Sequence, residues 1–210
     1  MFILDLLSKE NLKGFFKRNK KFFLISLGFF VIAFLVGVIY GHITIGSQYG
    51  VFSSLMSDVG GSNTSNTLGP NLSAVDLFVR NFSVGISTIL FGLLFSIMSF
   101  AIVAFNAFII GQMFGMDVLF ATVGIAPHGI IEYSASIFDL VGALILTKIE
   151  IKVIKAIFSK EQSVKNVLKE SKTEFKDILL CVIIIFVLLV IAAIIEAHVT
   201  PLIFGLVYGI

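Results

Sequence analysis

His128, Glu132, Ser136 and Asp139 recur at spacings of four, four and three within APHGIIEYSASIFDL, residues 126–140. On a helix those spacings put all four on one face. Three kinds of chemistry suit such a stripe. An imidazole and two carboxylates in line can pass on a proton or a cation. His128 and Glu132, at i and i+4, have the spacing of paired metal ligands that His42, His198 or Glu196 could complete. The same groups can also join helices through hydrogen bonds and charge pairs. No Ser-His-Asp order, phosphate loop, nucleotide fingerprint or cysteine cluster accompanies them. No catalytic residue, cofactor or metal ligand is therefore assigned, and the chain is read as non-enzymatic.

The surroundings of the stripe are apolar. Of 210 residues 58% are hydrophobic and 13% charged, with 23 phenylalanines, and the mean hydropathy is +1.06. These values lie outside the soluble globular range and identify an all-α integral membrane protein. Of the 15 Lys and Arg, six precede residue 22 and eight lie between Lys148 and Lys176, leaving Arg80. Positive charge collects on the cytoplasmic side, so both clusters are placed inside. The stretch 41–76 has no Lys or Arg, is rich in Gly, Ser, Asn and Thr, and holds N-x-S/T patterns at Asn63 and Asn71; it is placed outside. The lone cysteine, Cys181, excludes an internal disulfide.

Span lengths follow from the roughly 20 residues that cross a bilayer. Residues 1–21 read as an amphipathic helix on the inner surface, 22–40 as the first span, and 41–76 as an extracytoplasmic loop. Residues 77–147 must cross an odd number of times, and their length fits three helices. Breaks are expected in Ser99–Asn106 or at Gly111 and Gly115, and then at Pro127–Gly129, where proline removes a backbone donor. The competing arrangement makes 118–126 a short re-entrant helix. Residues 148–176 form a cytoplasmic amphipathic segment, and 177–200 the last span. About five transmembrane helices result, in one membrane domain with the N-terminus inside and the C-terminus outside.

Asp139 then lies about 16 Å along its helix from His128, near mid-bilayer. A charged carboxylate facing lipid there costs about 2.5–3.5 kcal/mol, so the stripe should face helices or water. It continues into Gly142 and Ala143, which allow close approach. His42, His128, Glu196, His198 and Thr200 all fall near the outer face, as do Arg80 and Asn81 behind the cap-like Ser73–Asp76. Arg80 is the expected partner of Glu132 or Glu196. Asn106, Gln112 and Asp117 are expected toward the inner end.

Three stretches, APHGIIEYSA (126–135), NAFIIG (106–111) and IIEAHVTP (194–201), resemble the stage II sporulation protein M family of multispan membrane proteins in bacteria and archaea. The likeness runs from Phe22 to Pro201, with Ala126 where the family usually has leucine and Asn106-Ala107 where it commonly has Asn-Gly. In endospore formers the resemblance implies a scaffold working with peptidoglycan-degrading enzymes. Most relatives belong to organisms that form no spores, so cell-wall hydrolases are expected partners only in an endospore former.

Three functional readings follow, in order of preference: a scaffold or assembly protein joined through the polar stripe, a small ion- or proton-coupled transporter or channel, and a metal or enzyme site. Membrane lipid, a homo-oligomer and envelope proteins are the partners considered. Nucleic acid is excluded, because the lysines of 148–176 are balanced by Glu150, Glu161, Glu170 and Glu174 without aromatic platforms; anionic head groups suit them better.

Overall fold

A computed structural model describes residues 6–60, 73–159 and 163–209, the side chains of 45–60 and 159 excepted. All regular structure among the described residues is helical: α1 (Lys9–Gly60), α2 (Ala74–Leu90) with a 3-10 turn (Phe91–Leu94), α3 (Ile97–Met116), α4 (Val118–Gly124), α5 (Ala126–Ser159), α6 (Val164–Glu170), and α7 (Lys172–Ile194), which passes through a π turn (Ile195–Val199) into α8 (Thr200–Tyr208). Four helical stretches are long and apolar enough to cross a membrane: Lys9–Thr44, Ala74–Leu94, Ile97–Met116 and Lys172–Tyr208. The remaining expected crossing falls on α5, which packs against α1, α2, α3 and α7. The sequons at Asn63 and Asn71 lie outside the described residues.

Helix α1 corrects two expected boundaries. Its 52 residues extend about 78 Å, more than twice a hydrocarbon core of about 30 Å. The N-terminal segment is therefore not a separate surface helix, and the helix passes Gly41 without stopping. The reason is packing. Leu6 and Phe15 are buried in the main core cluster with Leu180 and Cys181, and Phe15 stacks on Phe138 of α5 with ring centroids 6.5 Å apart.

Past the middle of α1, Gly37 and Gly41 face Gly111 and Gly115 of α3. A Cβ on any of the four would overlap backbone carbonyl oxygens of the opposite helix: those of Phe108 and Gln112 from α1, and of Phe34 and Val38 from α3. This is a paired small-xxx-small crossing, in which missing side chains let backbones touch. Gly111 accordingly does not break α3, which ends at Met116, one residue past Gly115 and inside the stretch where a break was expected; both glycines hold α3 against α1.

Both ends of α3 are set by particular residues. Phe95 and Ser96 have φ of 52° and 56° and end the first half of the α2–α3 hairpin, a few residues before the expected Ser99–Asn106. Left-handed backbone costs a non-glycine residue roughly 1–2 kcal/mol, and hydrogen bonds from α5 offset it. The Ser96 and Thr147 hydroxyls lie 2.6 Å apart, Thr147 donates to Gly92 O at 2.6 Å, and Glu150 accepts from Phe95 N at 3.2 Å. Asp117 ends α3 and caps α4, its carboxylate accepting from Phe120 N at 2.9 Å. The short helix expected at 118–126 thus exists as α4.

The break expected at Pro127–Gly129 sits slightly upstream, at Ile125. Pro127 occupies the first turn of α5, where its missing N–H is no loss, and Gly129 already donates to Ile125 O at 2.8 Å. Pro201 likewise does not end the last helix. The π turn before it re-registers the backbone around the missing donor, and the chain continues helically to Tyr208. The capping box of Ser73 and Asp76 starts α2 as the sequence indicated.

The glycine crossing makes a direct prediction. Gly111→Ala should destabilise the protein by about 1–3 kcal/mol through overpacking, read as a lower thermal midpoint in detergent. Gly28→Ala, where nothing lies within 4 Å of the added carbon, should leave the midpoint unchanged. Equal midpoints would show that α1 and α3 do not cross so closely.

Candidate functional site

Helix α5 delivers the stripe to three different neighbours. His128 is 8% exposed, and its Nδ1 lies 3.1 Å from the hydroxyl of Thr200, the first residue of α8. Residues 72 apart in the chain are thereby joined. One turn along, the Glu132 carboxylate accepts a hydrogen bond from the Asn81 side-chain amide of α2. Glu196, on the π turn, lies within electrostatic reach of Glu132 and of Arg80. Arg80 itself is exposed and forms no direct ion pair among the described residues. Of the two expected partners of Arg80, Glu132 is held by a neutral amide and not by the guanidinium, while Glu196 is the one within its electrostatic reach. In an apolar medium a single amide can satisfy one carboxylate oxygen without burying a second charge.

Ser136 is half-buried and bonds no other helix among the described residues. Asp139 is 7% exposed, and its Oδ1 has no hydrogen-bond partner among the described residues. It lies against Gly85 of α2, where an added Cβ would come within 2.7 Å of that oxygen. Cys181 of α7 is also near it. The small residues beyond it behave as expected. Gly142 meets Ile89, and a Cβ on Gly92 would press into the Ala143 backbone. The face carrying the stripe is therefore the one that α2 and α7 cover.

The other predicted residues divide. His42 and His198 are exposed and add no bond to the stripe among the described residues. No group of three or more His, Cys, Asp or Glu among those residues could hold a metal ion, so the i, i+4 spacing of His128 and Glu132 is not completed into a site. Asn106 lies on the α2-facing side of α3, in a cleft of ≈ 620 Å³ that contains none of the stripe residues. Gln112 and Asp117 sit at the same end as His42, because Gln112 packs on Gly41 and α3 runs away from the Thr147 end. Their expected grouping with Asn106 at the lysine-rich end is corrected by the direction of α3.

Sequence reasoning missed the lysine-rich end of the structure. Asp177 of α7 is buried and accepts from Arg18 Nε at 3.2 Å and Nη2 at 2.6 Å, and from Asn19 Nδ2 at 2.8 Å. Lys152 and Lys148 both reach Glu174, at 2.6 and 3.1 Å. A single aspartate inside a run of lysines and apolar residues was the available signal. At the opposite end Phe120 of α4 packs edge-on against Phe204 of α8, centroids 5.6 Å apart.

Two measurements bear on these contacts. A double-mutant cycle on Asn81→Ala and Glu132→Ala should give a coupling of about 0.6–1.7 kcal/mol, the range of polar contacts between membrane helices; zero coupling would mean the amide does not hold the carboxylate. Asp177→Ala should destabilise by about 1–3 kcal/mol, less than a fully buried pair because Arg18 is 40% exposed. Ser163→Ala, at an exposed helix start without a side-chain cap bond, should leave the unfolding midpoint unchanged. The same midpoint for Asp177→Ala would remove Asp177 from the account.

Comparison with known proteins meets this geometry. The chain is 29% identical over 176 residues to the uncharacterized protein MJ0793 of Methanocaldococcus jannaschii, covering 80% of this chain and 89% of that protein. No solved structure matches it significantly. Residues 22–201 match the family Stage II sporulation protein M, an extent that takes in the glycine crossing, the Asn81–Glu132 bond and the His128–Thr200 bond alike. The chain belongs to the stage II sporulation protein M family.

Proposed function

We propose that this protein is a non-enzymatic membrane scaffold or assembly factor, in which the α5 stripe is internal glue. The observation that carries this reading is the occupancy of the stripe by protein. His128 is taken by Thr200, Glu132 by Asn81, and Asp139 is enclosed against Gly85. Polar contacts of this kind contribute modestly to stability and chiefly specify which helix faces meet, which is what a rigid platform for other proteins requires. The lysines at the starts of α1 and α7 and the end of α5 support an N-terminus inside and a C-terminus outside, with anionic lipid beneath the lysine-rich end. Envelope proteins are the partners in this reading, cell-wall hydrolases among them only in an endospore former.

One observation favours the competing reading, an ion- or proton-coupled transporter or channel: the Asp139 Oδ1 is buried without a partner among the described residues, and an intramembrane carboxylate is by default a functional group. Reconstitution separates the two. The scaffold reading expects liposomes carrying the purified protein to show no proton or cation flux beyond protein-free vesicles. Flux that is present in the wild type and lost in both Glu132→Gln and Asp139→Asn would overturn it.

A further inference from the structure

On α5, His128 and Glu132 are answered from within the chain; on α3, among the described residues, Asn106 is not. Asn106 stands nine residues beyond Ile97, about 14 Å along the helix and close to mid-bilayer. It is half-buried, and among the described residues nothing in the chain bonds its side chain. It lies in the ≈ 620 Å³ cleft between α2 and α3, beside Phe105, which is 64% exposed, and opposite Ser83 and Ser87, two exposed small residues at i, i+4. The Ser83 hydroxyl already donates to Val79 O of its own helix at 2.7 Å, so its one O–H is not available to the Asn106 carbonyl. Hydrocarbon supplies neither donor nor acceptor, and an unpaired amide there costs several kcal/mol.

We propose that this cleft is the interface between two copies of the chain, paired about a twofold axis that brings the two Asn106 side chains together. The choice of occupant rests on the chemistry of the amide. Asn carries both donors and an acceptor, so two copies related by a twofold satisfy each other, as an isologous contact requires. The opposite face of α3 is committed to α1 through Gly111 and Gly115, leaving the Asn106 face open. Ser83 and Ser87 supply the low relief that lets a second helix approach. The inference does not depend on the scaffold reading, since a transporter could pair in the same way.

Cysteine cross-linking of the full-length protein in liposomes tests it. Ile102→Cys places a thiol on the cleft wall, whereas Ile32→Cys, 64% exposed on α1, reports random collision; native Cys181 is buried and stays silent. Under mild oxidation Ile102→Cys should form a covalent dimer at several times the Ile32→Cys yield. Adding Asn106→Leu should raise the dimer dissociation constant about 3- to 20-fold, the equivalent of 0.6–1.7 kcal/mol for an interhelical polar contact. A cleft filled by lipid would leave both cysteines with the same low yield and overturn the proposal. Strong cross-linking that Asn106→Leu does not weaken would overturn the amide pairing.

Discussion

Hydrocarbon cannot hydrogen-bond, so every polar group carried into it must be answered by another part of the protein. The rest of this structure depends on how α5 meets that constraint. Its His128 imidazole, Glu132 carboxylate and Thr147 hydroxyl are paired with α8, with α2 and with Ser96 in the turn before α3, and each pairing fixes one neighbour against the centre. Removing any one partner leaves a polar group exposed to an apolar medium. That penalty, more than the strength of the bond itself, makes the arrangement specific.

Around that centre the other helices are held by means that need little polarity. The α1–α3 crossing relies on four glycines, where close backbone approach replaces hydrophobic driving force that lipid cannot supply. At the lysine-rich end the problem is reversed, because water and head groups are near and charge can be used freely. There Arg18 and Asn19 clasp Asp177, and Lys148 and Lys152 share Glu174. Each level of the molecule thus uses the interaction its surroundings make effective.

The residues that match the stage II sporulation protein M family, 22–201, include the His128–Thr200 and Asn81–Glu132 bonds. Two of the three stretches that carry the family likeness also meet. APHG opens α5 with His128, and the later Thr-Pro opens α8 with Thr200, which receives it. A likeness of scattered short motifs becomes a single contact in three dimensions.

Membrane character, helical class and the shared face of His128, Glu132, Ser136 and Asp139 were legible in the sequence, because they follow from composition and from a period of 3.6 residues. So was the capping box at Ser73, a strictly local device. Partners were not legible. Nothing local distinguishes Asn81 from Arg80 as the group that reaches Glu132, since one residue's rotation about a helix, about 100°, decides which points inward. Gly111 and Gly115 read as breaks because an isolated glycine weakens a helix; only the presence of α1 against them turns the same residues into a packing surface. The turn at Phe95 and Ser96 escaped notice for the same reason, as left-handed backbone in residues without glycine's freedom persists only where α5 hydrogen-bonds it in place. Local periodicity determined the helices and their faces, and long-range packing decided which faces meet.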